Sequence, residues 1–441
     1  MRAWIAREDA WGIPMIVVIA TVSAWYLLDP IYNGYDGYVR TFEEGRLSTA
    51  WWEVLLFLVA FGGMVRSVHH KMNGALPSQK SQIFEAMRSR RIDSDQFQDQ
   101  VSELAKKTAI AWGILMAIGV YRVNFYLPGI FFPYLSYVGL VDPWGRDRLG
   151  GGIDALFAFA GYFQIMLTAI IGITLALSKR PNTIRLSGIV YFLAVPYFIF
   201  GRTRNTMLAV LIPAIMAFVT LRLKGGILVR LGFLAFVFAA FNLWFLFVLE
   251  TRSQGGNIAM QAGEFGKSLS SKNSTQKHHE GFNMFEELGY INYFIDIGTY
   301  KPNWGARYFA EAVNPIPRVL WTGKPLIGID YAIARGMAYG DLGGKSGGIA
   351  ASISTGMIGQ GVVNFGRFLG PLAAALLMAI WVAVLARQDL MGDDLGHLLL
   401  YAIGLVLTFN MGRDITLLVI YPFVFGWILL TWINKRKQRT G

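Results

Sequence analysis

Residues 186–221 read LSGIVYFLAVPYFIFGRTRNTMLAVLIPAIMAFVTL, in which two apolar stretches flank the pentapeptide GRTRN at 201–205. At ~1.5 Å of rise per residue, each stretch is long enough as a helix to cross most of the hydrocarbon core of a bilayer. So short a connection between them indicates an antiparallel helical pair that enters and leaves at one face. This segment therefore predicts a polytopic helical membrane protein with Arg202 and Arg204 at a tight turn.

The composition of the whole chain agrees with this prediction. Of 441 residues, 54% are apolar and only 15% are charged, and the mean hydropathy is +0.43. The first apolar run, 13–28, is followed by many others, which argues against a cleaved signal peptide. We expect an all-α fold with about ten spans. They cover roughly residues 11–28, 50–68, 108–127, 153–177, 186–201, 205–221, 227–249, 367–386, 398–412 and 415–433.

The distribution of charge predicts the topology. If the N-terminus is inside, the inner segments include 66–107, 178–185, 222–226 and the tail 435–439, all of them basic, whereas 387–397 is acidic. Cytoplasmic loops of membrane proteins carry an excess of Lys and Arg, which also contact anionic lipid. These two roles account for most of the net charge of +12, so we predict no nucleic-acid partner.

Three regions follow from this topology. Residues 1–249 hold the first spans and a polar cytoplasmic loop, 69–107, whose part 95–107 has a helical pattern. Residues 250–366 form one outer loop, and 367–441 hold the last spans and the basic tail. A connection of more than about 100 residues is far longer than ordinary loops, so the outer loop is expected to carry structure and function.

The outer loop contains one amphipathic segment. Phe285, Leu288, Ile291 and Ile295 recur at helical spacing within 284–300. This pattern predicts an amphipathic helix that is able to lie along the membrane interface.

Arginines at the predicted outer turns are the main functional signal. Arg202 and Arg204 lie in one turn, and Arg413 lies in the turn Gly412-Arg413-Asp414 of the last helical pair. Short outer loops usually avoid Lys and Arg, whereas guanidinium groups bind phosphate well. We therefore predict a site for a lipid-linked phosphate, and snorkelling to lipid headgroups remains the alternative. Further candidates are Arg122, Arg318, Lys324 and Arg335, with Trp321 as an anchor at the interface.

The sequence excludes several kinds of chemistry and leaves the general base open. There is no cysteine, so a thiolate nucleophile, a disulfide or a Cys-metal site is excluded. No P-loop, HExxH or GxSxG pattern occurs, and we predict neither a metal nor a cofactor. A base on the outer side would come from His279 or from its neighbours, and spacing does not choose among them. The other candidates are His278, Glu280, Glu311, Asp330 and Asp341.

Charges inside the predicted spans bear on transport. These boundaries place Glu53, Asp154 and Glu250 near helix ends, so no ionisable residue is expected at mid-span. Ion-coupled transporters usually place ionisable groups at the midplane and contain inverted repeats or broken helices. The sequence therefore favours an enzyme over a transporter.

The second half of the chain resembles the bacterial oligosaccharide repeat unit polymerases, the Wzy-type O-antigen and exopolysaccharide polymerases. The resemblance rests on a Gly-x-Arg turn that opens a helix, at Gly201-Arg202 or Thr203-Arg204, and on the segment IPRVLW at 316–321 with Lys324-Pro325. It also includes the glycine-rich re-entry SISTGMIGQGVVNFG at 352–366. Many relatives carry a Glu after the Gly of that segment, where this chain has Gln360.

This resemblance implies a metal-independent transferase in the bacterial inner membrane, with a fold similar to that of the O-antigen ligases. Donor and acceptor would be undecaprenyl-pyrophosphate-linked oligosaccharides on the periplasmic side, and a chain-length regulator and a flippase would be pathway partners. Arg318, Arg204, Arg413 and His279 would be catalytic, and pyrophosphate or glycan would be bound by Arg202, Arg204, Arg318, Arg413, Lys324, Arg335, Arg122, Trp321, Tyr331 and Tyr339. Interface anchoring is an equal alternative for the aromatic residues. A ligase of the same class, and a flippase or transporter, remain open as alternatives.

Overall fold

The computed structural model describes residues 11–73, 94–131, 143–144, 154–200, 204–223, 226–252, 283–313, 316, 320–325, 328–336, 338–339, 348–349, 353–388, 395–413, 420, 423–428 and 430–431. Within these residues the chain is helical apart from one antiparallel pair of two-residue strands, β1 (Ala338–Tyr339) and β2 (Gly348–Ile349). The helical architecture that the sequence predicts is therefore confirmed.

The helices follow one another along the chain with short or undescribed connections. In order they are α1 (Gly12–Val22), α2 (Leu28–Asn33), α3 (Tyr35–Asn73), α4 (Asp95–Arg122), α5 (Leu127–Phe131), α6 (Asp154–Leu177), α7 (Pro181–Phe200), α8 (Arg204–Leu221), α9 (Ile227–Arg252), α10 (Met284–Asp296), α11 (Ala306–Ala312), α12 (Ile329–Ala334), α13 (Met357–Ala386) and α14 (Leu395–Met411). A π-helical turn, Ser23–Leu27, joins α1 to α2.

The chain forms two compact units. The first unit comprises Met1–Ile83, His278–Met391 and Leu400–Gly441, and the second comprises Phe84–Lys277 and Gly392–Leu399. Helices α1–α3 and α10–α13 thus belong to the first unit, and α4–α9 belong to the second.

Among the described residues, six helices are long and apolar enough to cross a membrane, by length and composition. They cover Gly12–Ile31, Tyr35–Asn73, Asp95–Arg122, Ala160–Leu177, Pro181–Phe200 and Met357–Ala386. Shorter apolar helices, Thr206–Val219, Leu228–Phe241 and Gly396–Met411, coincide with three further predicted spans. The tenth predicted span, 415–433, lies largely outside the described residues.

Two segments predicted to lie outside the spans are continuous with neighbouring helices. Residues 29–49, expected to form an outer loop, belong mostly to α2 and α3, and α3 bends at Glu43 (φ 62°, ψ 151°). The helix predicted over 95–107 is confirmed and is continuous with the next span, as the single helix α4. Helix α4 begins where Ser94 Oγ accepts a hydrogen bond from the Phe97 amide at 3.3 Å, which caps its N-terminus. The predicted spans 50–68 and 108–127 began too late because they followed apolar runs, whereas each helix starts with polar turns before the apolar run.

Helix α13 is folded back on itself at Gly366. That residue has φ 80° and ψ 178°, which glycine adopts without strain. A Cβ atom placed on Gly370 would lie 2.5 Å from the carbonyl carbon of Gly361, whereas a straight helix separates residues nine apart by about 13.5 Å. Residues 357–365 and 367–386 are therefore two limbs of a helical hairpin, here called the first limb and the second limb.

The amphipathic helix predicted at 284–300 forms α10, but its apolar face is buried. Phe285, Leu288 and Ile291 are fully buried. Phe285 contacts Trp51 of α3 with ring centroids 4.3 Å apart, and a Cβ on Gly359 of the first limb would meet Ile291. The expectation that this face lies along the membrane is wrong, because α3 and α13 cover it instead.

The second unit has an apolar core between α4, α6 and α7. Trp112, Met116, Ile171 and Ala194 are among its buried members. Gln98 of α4 also closes the C-terminus of α6, since its side chain donates to the Leu177 carbonyl at 3.3 Å and accepts from the Lys179 amide at 2.8 Å.

Candidate functional site

A buried carboxylate of the first unit lies between α11 and the first limb. Glu311 is 3% exposed, and the amide Nε2 of Gln360 lies 2.7 Å from its Oε1 and 2.6 Å from its Oε2. Gln360 is itself fully buried. Burial without solvent makes such polar groups depend on one another, so this pair fixes α11 against the first limb.

Arg307 is the cation beside this carboxylate. It lies one helical turn before Glu311, and its Nε is 3.5 Å from Glu311 Oε1, with both side chains almost fully buried. Its guanidinium covers Gly328, where an added Cβ would meet Arg307 Cζ at 3.3 Å. Positive φ at Gly328 (63°) and this close approach together require glycine there. We call Arg307, Glu311 and Gln360 the Glu311 cluster.

Two asparagines position the Glu311 cluster. Asn364 donates to the Gln360 carbonyl at 2.7 Å and accepts from the Tyr308 amide at 3.3 Å, which ties the first limb to α11. Asn303 donates to Asp330 at 3.0 Å, and its backbone amide donates to the Val363 carbonyl at 3.1 Å. The start of α11 is thereby held on the first limb by side-chain and backbone bonds together.

A second buried carboxylate, Glu287 of α10, has different partners. Arg335 donates to it twice, from Nε to Oε1 and from Nη2 to Oε2, each at 3.2 Å. The Tyr331 hydroxyl donates to Oε1 as well, and the guanidinium of Arg335 lies 3.6 Å over the ring of Tyr290. Burial, and then the Glu287 charge, raise the pKa of the Tyr331 hydroxyl well above its ordinary value. We call Glu287, Tyr331 and Arg335 the Glu287 cluster.

Asp330, the residue before Tyr331 of the Glu287 cluster, is hydrogen-bonded to Tyr300. The Tyr300 hydroxyl donates to Asp330 Oδ2 at 2.8 Å. Burial, and then the Asp330 charge, raise the pKa of Tyr300 above its ordinary value. Asp330 was one candidate for the general base. In the structure its carboxylate accepts hydrogen bonds from Tyr300 and Asn303.

Glu53 is not near a helix end, as the sequence boundaries suggested. It lies in the middle of α3, is 2% exposed, and accepts a hydrogen bond from Asn292 Nδ2 at 2.9 Å through Oε2. Asn292 in turn accepts from Arg367 Nε at 2.7 Å, and Arg367 forms an ion pair with Asp296. The predicted span was too short on this side because the polar residues 35–49 did not look like part of a membrane helix.

One predicted arginine, Arg413, lies in a turn whose backbone is bonded to the start of the first limb. The turn that carries Arg413 follows α14, and the Gly412 carbonyl accepts from the Met357 amide at 3.0 Å. Met357 begins the first limb, one helical turn before Gln360. The turn at 412–413 and the Glu311 cluster therefore share the N-terminal end of the first limb.

The other predicted residues of the first unit have mixed surroundings. Lys324 is 7% exposed, and its Nζ donates to the Ile316 carbonyl at 2.9 Å. Trp321 is 36% exposed and meets Phe309 edge-on with centroids 6.3 Å apart. Tyr331 is fully buried, so it cannot stack on a sugar. Arg335 is engaged by Glu287, an arrangement that accounts for its position without a phosphate.

The remaining predicted residues lie in the second unit or outside the described parts of the chain. Arg122, at the C-terminal end of α4, donates from Nη1 to the Pro143 carbonyl, which fits the role of a local clamp. Arg204 is the first residue of α8, and its side chain is not described; the same holds for Tyr339 of β1. Arg202, His279 and Arg318 lie outside the described residues.

The sequence contains a signal for the Glu311 cluster that the prediction did not use. Arg307 and Glu311 are four residues apart and separated only by the uncharged residues YFA. This spacing brings side chains together on a helix. Gln360 had no such signal, because its partner is far away along the chain. Among the described residues, no group of three or more His, Asp or Glu is placed to hold a metal ion.

Comparison with known proteins adds no family. The chain matches no protein-family model, no curated protein and no solved structure. Function is therefore inferred from the chemistry of the site and from the resemblance in sequence.

Proposed function

We propose that this chain is a bacterial inner-membrane glycosyltransferase that polymerises undecaprenyl-pyrophosphate-linked oligosaccharide repeat units. The growing glycan is transferred from its lipid carrier to a sugar of an incoming lipid-linked unit on the periplasmic side. Six helices long and apolar enough to span a membrane, arginine-bearing turns and the motifs at 316–325 and 352–366 support this proposal.

The observation that carries the proposal is the Glu311 cluster on the helical hairpin. A carboxylate buried in a polar cluster beside an arginine turn suits a reaction that moves one proton and releases a phosphate anion. The segment 316–325, which carries the polymerase-like motif, follows directly after α11. Its Lys324 donates to the Ile316 carbonyl, and its Trp321 contacts Phe309 on the helix of Glu311.

The proposed chemistry is a displacement at the anomeric carbon of the donor sugar. The acceptor hydroxyl oxygen forms the new glycosidic bond, its proton passes to the Glu311 carboxylate, and the bond to the pyrophosphate breaks. Charge develops on the leaving undecaprenyl pyrophosphate, where preorganised guanidinium groups stabilise it. Arg413 and the predicted Arg318 are assigned this role, and Gln360 orients Glu311.

The glutamine at position 360 is consistent with this assignment. If relatives use a Glu at this place as an acid or base, this chain needs another residue for the role. The Gln360 amide donates to Glu311, so the carboxylate of α11 lies next to the position at which those relatives carry theirs. Because Glu311 is buried, the acceptor must displace neighbouring chain in order to reach it.

A transport function is the second candidate, and Glu53 is the observation that favours it. An ionisable group in the interior of a span is a default sign of a substrate or ion pathway. The chain of contacts from Glu53 through Asn292 and Arg367 reaches Asp296, which is one-third exposed. A flippase of lipid-linked glycan that depends on an ion gradient would use such a chain.

Rescue of a gene-deletion strain tests the proposal. Wild type, Glu311→Gln and the matched control Glu43→Gln, whose carboxylate is 81% exposed, are expressed at equal levels, and the surface polysaccharide is sized. A polymerase predicts a single repeat unit in the deletion strain, a full ladder with wild type and Glu43→Gln, and no ladder with Glu311→Gln. Lipid-linked long chains that fail to reach their final acceptor would show a ligase instead. Repeat units trapped on the cytoplasmic side would show a flippase, and unchanged polymer in every strain would refute all three.

A further inference from the structure

One stretch of the first unit outside the spans exposes several large apolar side chains. They are Trp304 (74% exposed), Phe309 (54%), Ile316 (38%), Leu320 (79%) and Trp321 (36%). Single exposed apolar residues are ordinary, but a group within 18 residues of sequence, two of them in ring contact, indicates a surface that meets something apolar.

The backbone at Trp304 is strained in a way that presents its side chain. Its φ is 53°, a left-handed conformation that a bulky residue adopts at a cost of about 1–3 kcal/mol. The next residue, Gly305, also has positive φ (90°) and is the N-cap of α11. A strained backbone that exposes a large indole indicates that Trp304 contacts something outside the folded chain.

The hairpin fixes the level of Trp304 relative to a membrane. The second limb has 20 residues, so it is about 30 Å long, which equals the thickness of the hydrocarbon core. Its first residue, Arg367, must therefore lie at one boundary of the membrane. The turn before it touches the Trp304 segment, since Cβ atoms on Gly366 and Gly305 would lie 3.7 Å from Pro302 and 3.3 Å from Phe365.

The lipid-facing surface of the second limb begins beside this segment. Phe368 and Leu369, the second and third residues of the limb, are 68% and 47% exposed. An apolar surface that starts at the boundary continues along the span, as Leu376 is also exposed. The exposed group at 304–321 thus borders the exposed apolar surface of the second limb.

We propose that Trp304, Phe309 and Trp321 form a membrane-interface contact, seated in the headgroup boundary of the bilayer at the outer end of α13. Indole rings are enriched at this depth because they combine an apolar body with one polar N–H group. The partner is the lipid of the bilayer itself. Because Phe309 and Glu311 lie on the same short helix, the contact fixes the height of the Glu311 cluster at the level of lipid phosphates, and only this last consequence rests on the proposed function.

The absence of cysteine from the chain permits a clean test. Trp304→Cys and Phe309→Cys are labelled one at a time with a nitroxide in the full chain in lipid nanodiscs. Collision rates are then measured with oxygen, which concentrates in lipid, and with a water-soluble nickel chelate. Leu376→Cys serves as the reference within lipid, and Glu103→Cys, whose side chain is 66% exposed on the polar part of α4, serves as the reference in water.

The expected ratio of oxygen to nickel collisions at positions 304 and 309 lies between the two references and at least about threefold above the water reference, as for a headgroup depth. A ratio equal to that of Glu103→Cys at both positions would overturn the proposal and leave the surface to a water-soluble glycan. Dipolar broadening that disappears on dilution with unlabelled protein would also overturn it, because a second copy of the chain would then cover the surface. Neither outcome depends on enzymatic activity, so failure here is distinct from failure of the proposed function.

Discussion

Two buried glutamates of the first unit lie in similar surroundings and are held in different ways. Glu287 receives a bidentate arginine pair and a tyrosine hydroxyl. Glu311 receives a neutral amide on both oxygens, and the Nε of Arg307 lies farther from it, at 3.5 Å. Bidentate charge-assisted pairs are the stronger and more rigid of these arrangements.

This difference separates structural from chemical roles. A carboxylate engaged by both arms of a guanidinium already has its charge compensated, so it stabilises the packing of α10 against α12. A carboxylate oriented by an amide keeps more of its charge available, which a proton acceptor needs. We therefore assign a packing role to the Glu287 cluster and the reactive role to the Glu311 cluster, and four experiments test this division.

The largest effect is expected at Glu311. With purified protein and lipid-linked repeat units, Glu311→Gln should lower the rate of chain extension by at least about 100-fold, the usual contribution of a general base. The variant keeps an acceptor for the Gln360 amide but removes the charge beside Arg307. Product ladders measured over time report the rate, and thermal unfolding in detergent reports the folded fraction.

Glu311→Asp is the matched variant, because it keeps the charge and withdraws it by one methylene. Partial recovery of rate, without a matching change in unfolding temperature, is the expected result. Full activity of Glu311→Gln would remove the carboxylate from the mechanism and return the role of base to His279 and its neighbours.

The next effect is on stability, at the Glu287 cluster. Arg335→Ala leaves a buried carboxylate without its bidentate partner, and we expect a loss of about 3 kcal/mol in the free energy of unfolding. Arg335→Lys should lose less, since one charged bond can remain. If Arg335 instead binds pyrophosphate, as the sequence suggested, activity would fall while the unfolding temperature stays unchanged.

The third effect concerns the hairpin that carries Gln360. Gly370→Ala forces a Cβ against the backbone of Gly361, and separating the two limbs should cost about 1–3 kcal/mol. The first limb carries Gln360, so the rate of extension should fall by more than the folded fraction does. Gly63→Ala, at a helical glycine with nothing within 4 Å of its Cβ, is the control and should change neither quantity. An unchanged rate in folded Gly370→Ala would show that the packing of the hairpin does not affect the reaction.

The sequence predicted what depends on local patterns. Apolar runs located the apolar helices and the pattern 284–300 located α10, whereas the expected re-entry of 352–366 into the membrane stays a prediction. The prediction failed where a helix is covered by residues that are distant in sequence. The apolar face of α10 could have met lipid or protein, and only the position of α3 decides between them.

The candidate site was predictable in part for the same reason. Arg413 was proposed because an arginine in a short turn predicted to be outside is unusual by itself, and its role stays a prediction. The contact between Gln360 and Glu311 spans 49 residues of sequence, so no local pattern marks it. Glu53 was misplaced because hydropathy ends a span at polar residues, whereas the real helix continues through them and buries the carboxylate against Asn292.

The smallest effect is a dependence on alkaline pH at Tyr331. Its pKa is raised in the folded protein, so the folded state holds the phenolic proton more tightly than the unfolded chain does. The resulting stability is fully present below the ordinary tyrosine pKa of about 10 and is lost as the pH rises above it, by about 1.4 kcal/mol per pH unit. Tyr331→Phe lacks this group, so its stability deficit relative to wild type should shrink by about 1 kcal/mol between pH 9 and pH 11. Unfolding in detergent at the two pH values measures this, with Tyr121→Phe, at an exposed tyrosine, as the control. A deficit that stays constant would mean that the pKa of Tyr331 is not raised in the folded protein, so that its hydroxyl is neither buried nor bonded to Glu287. The contrast between the two glutamates would then rest on Arg335 alone.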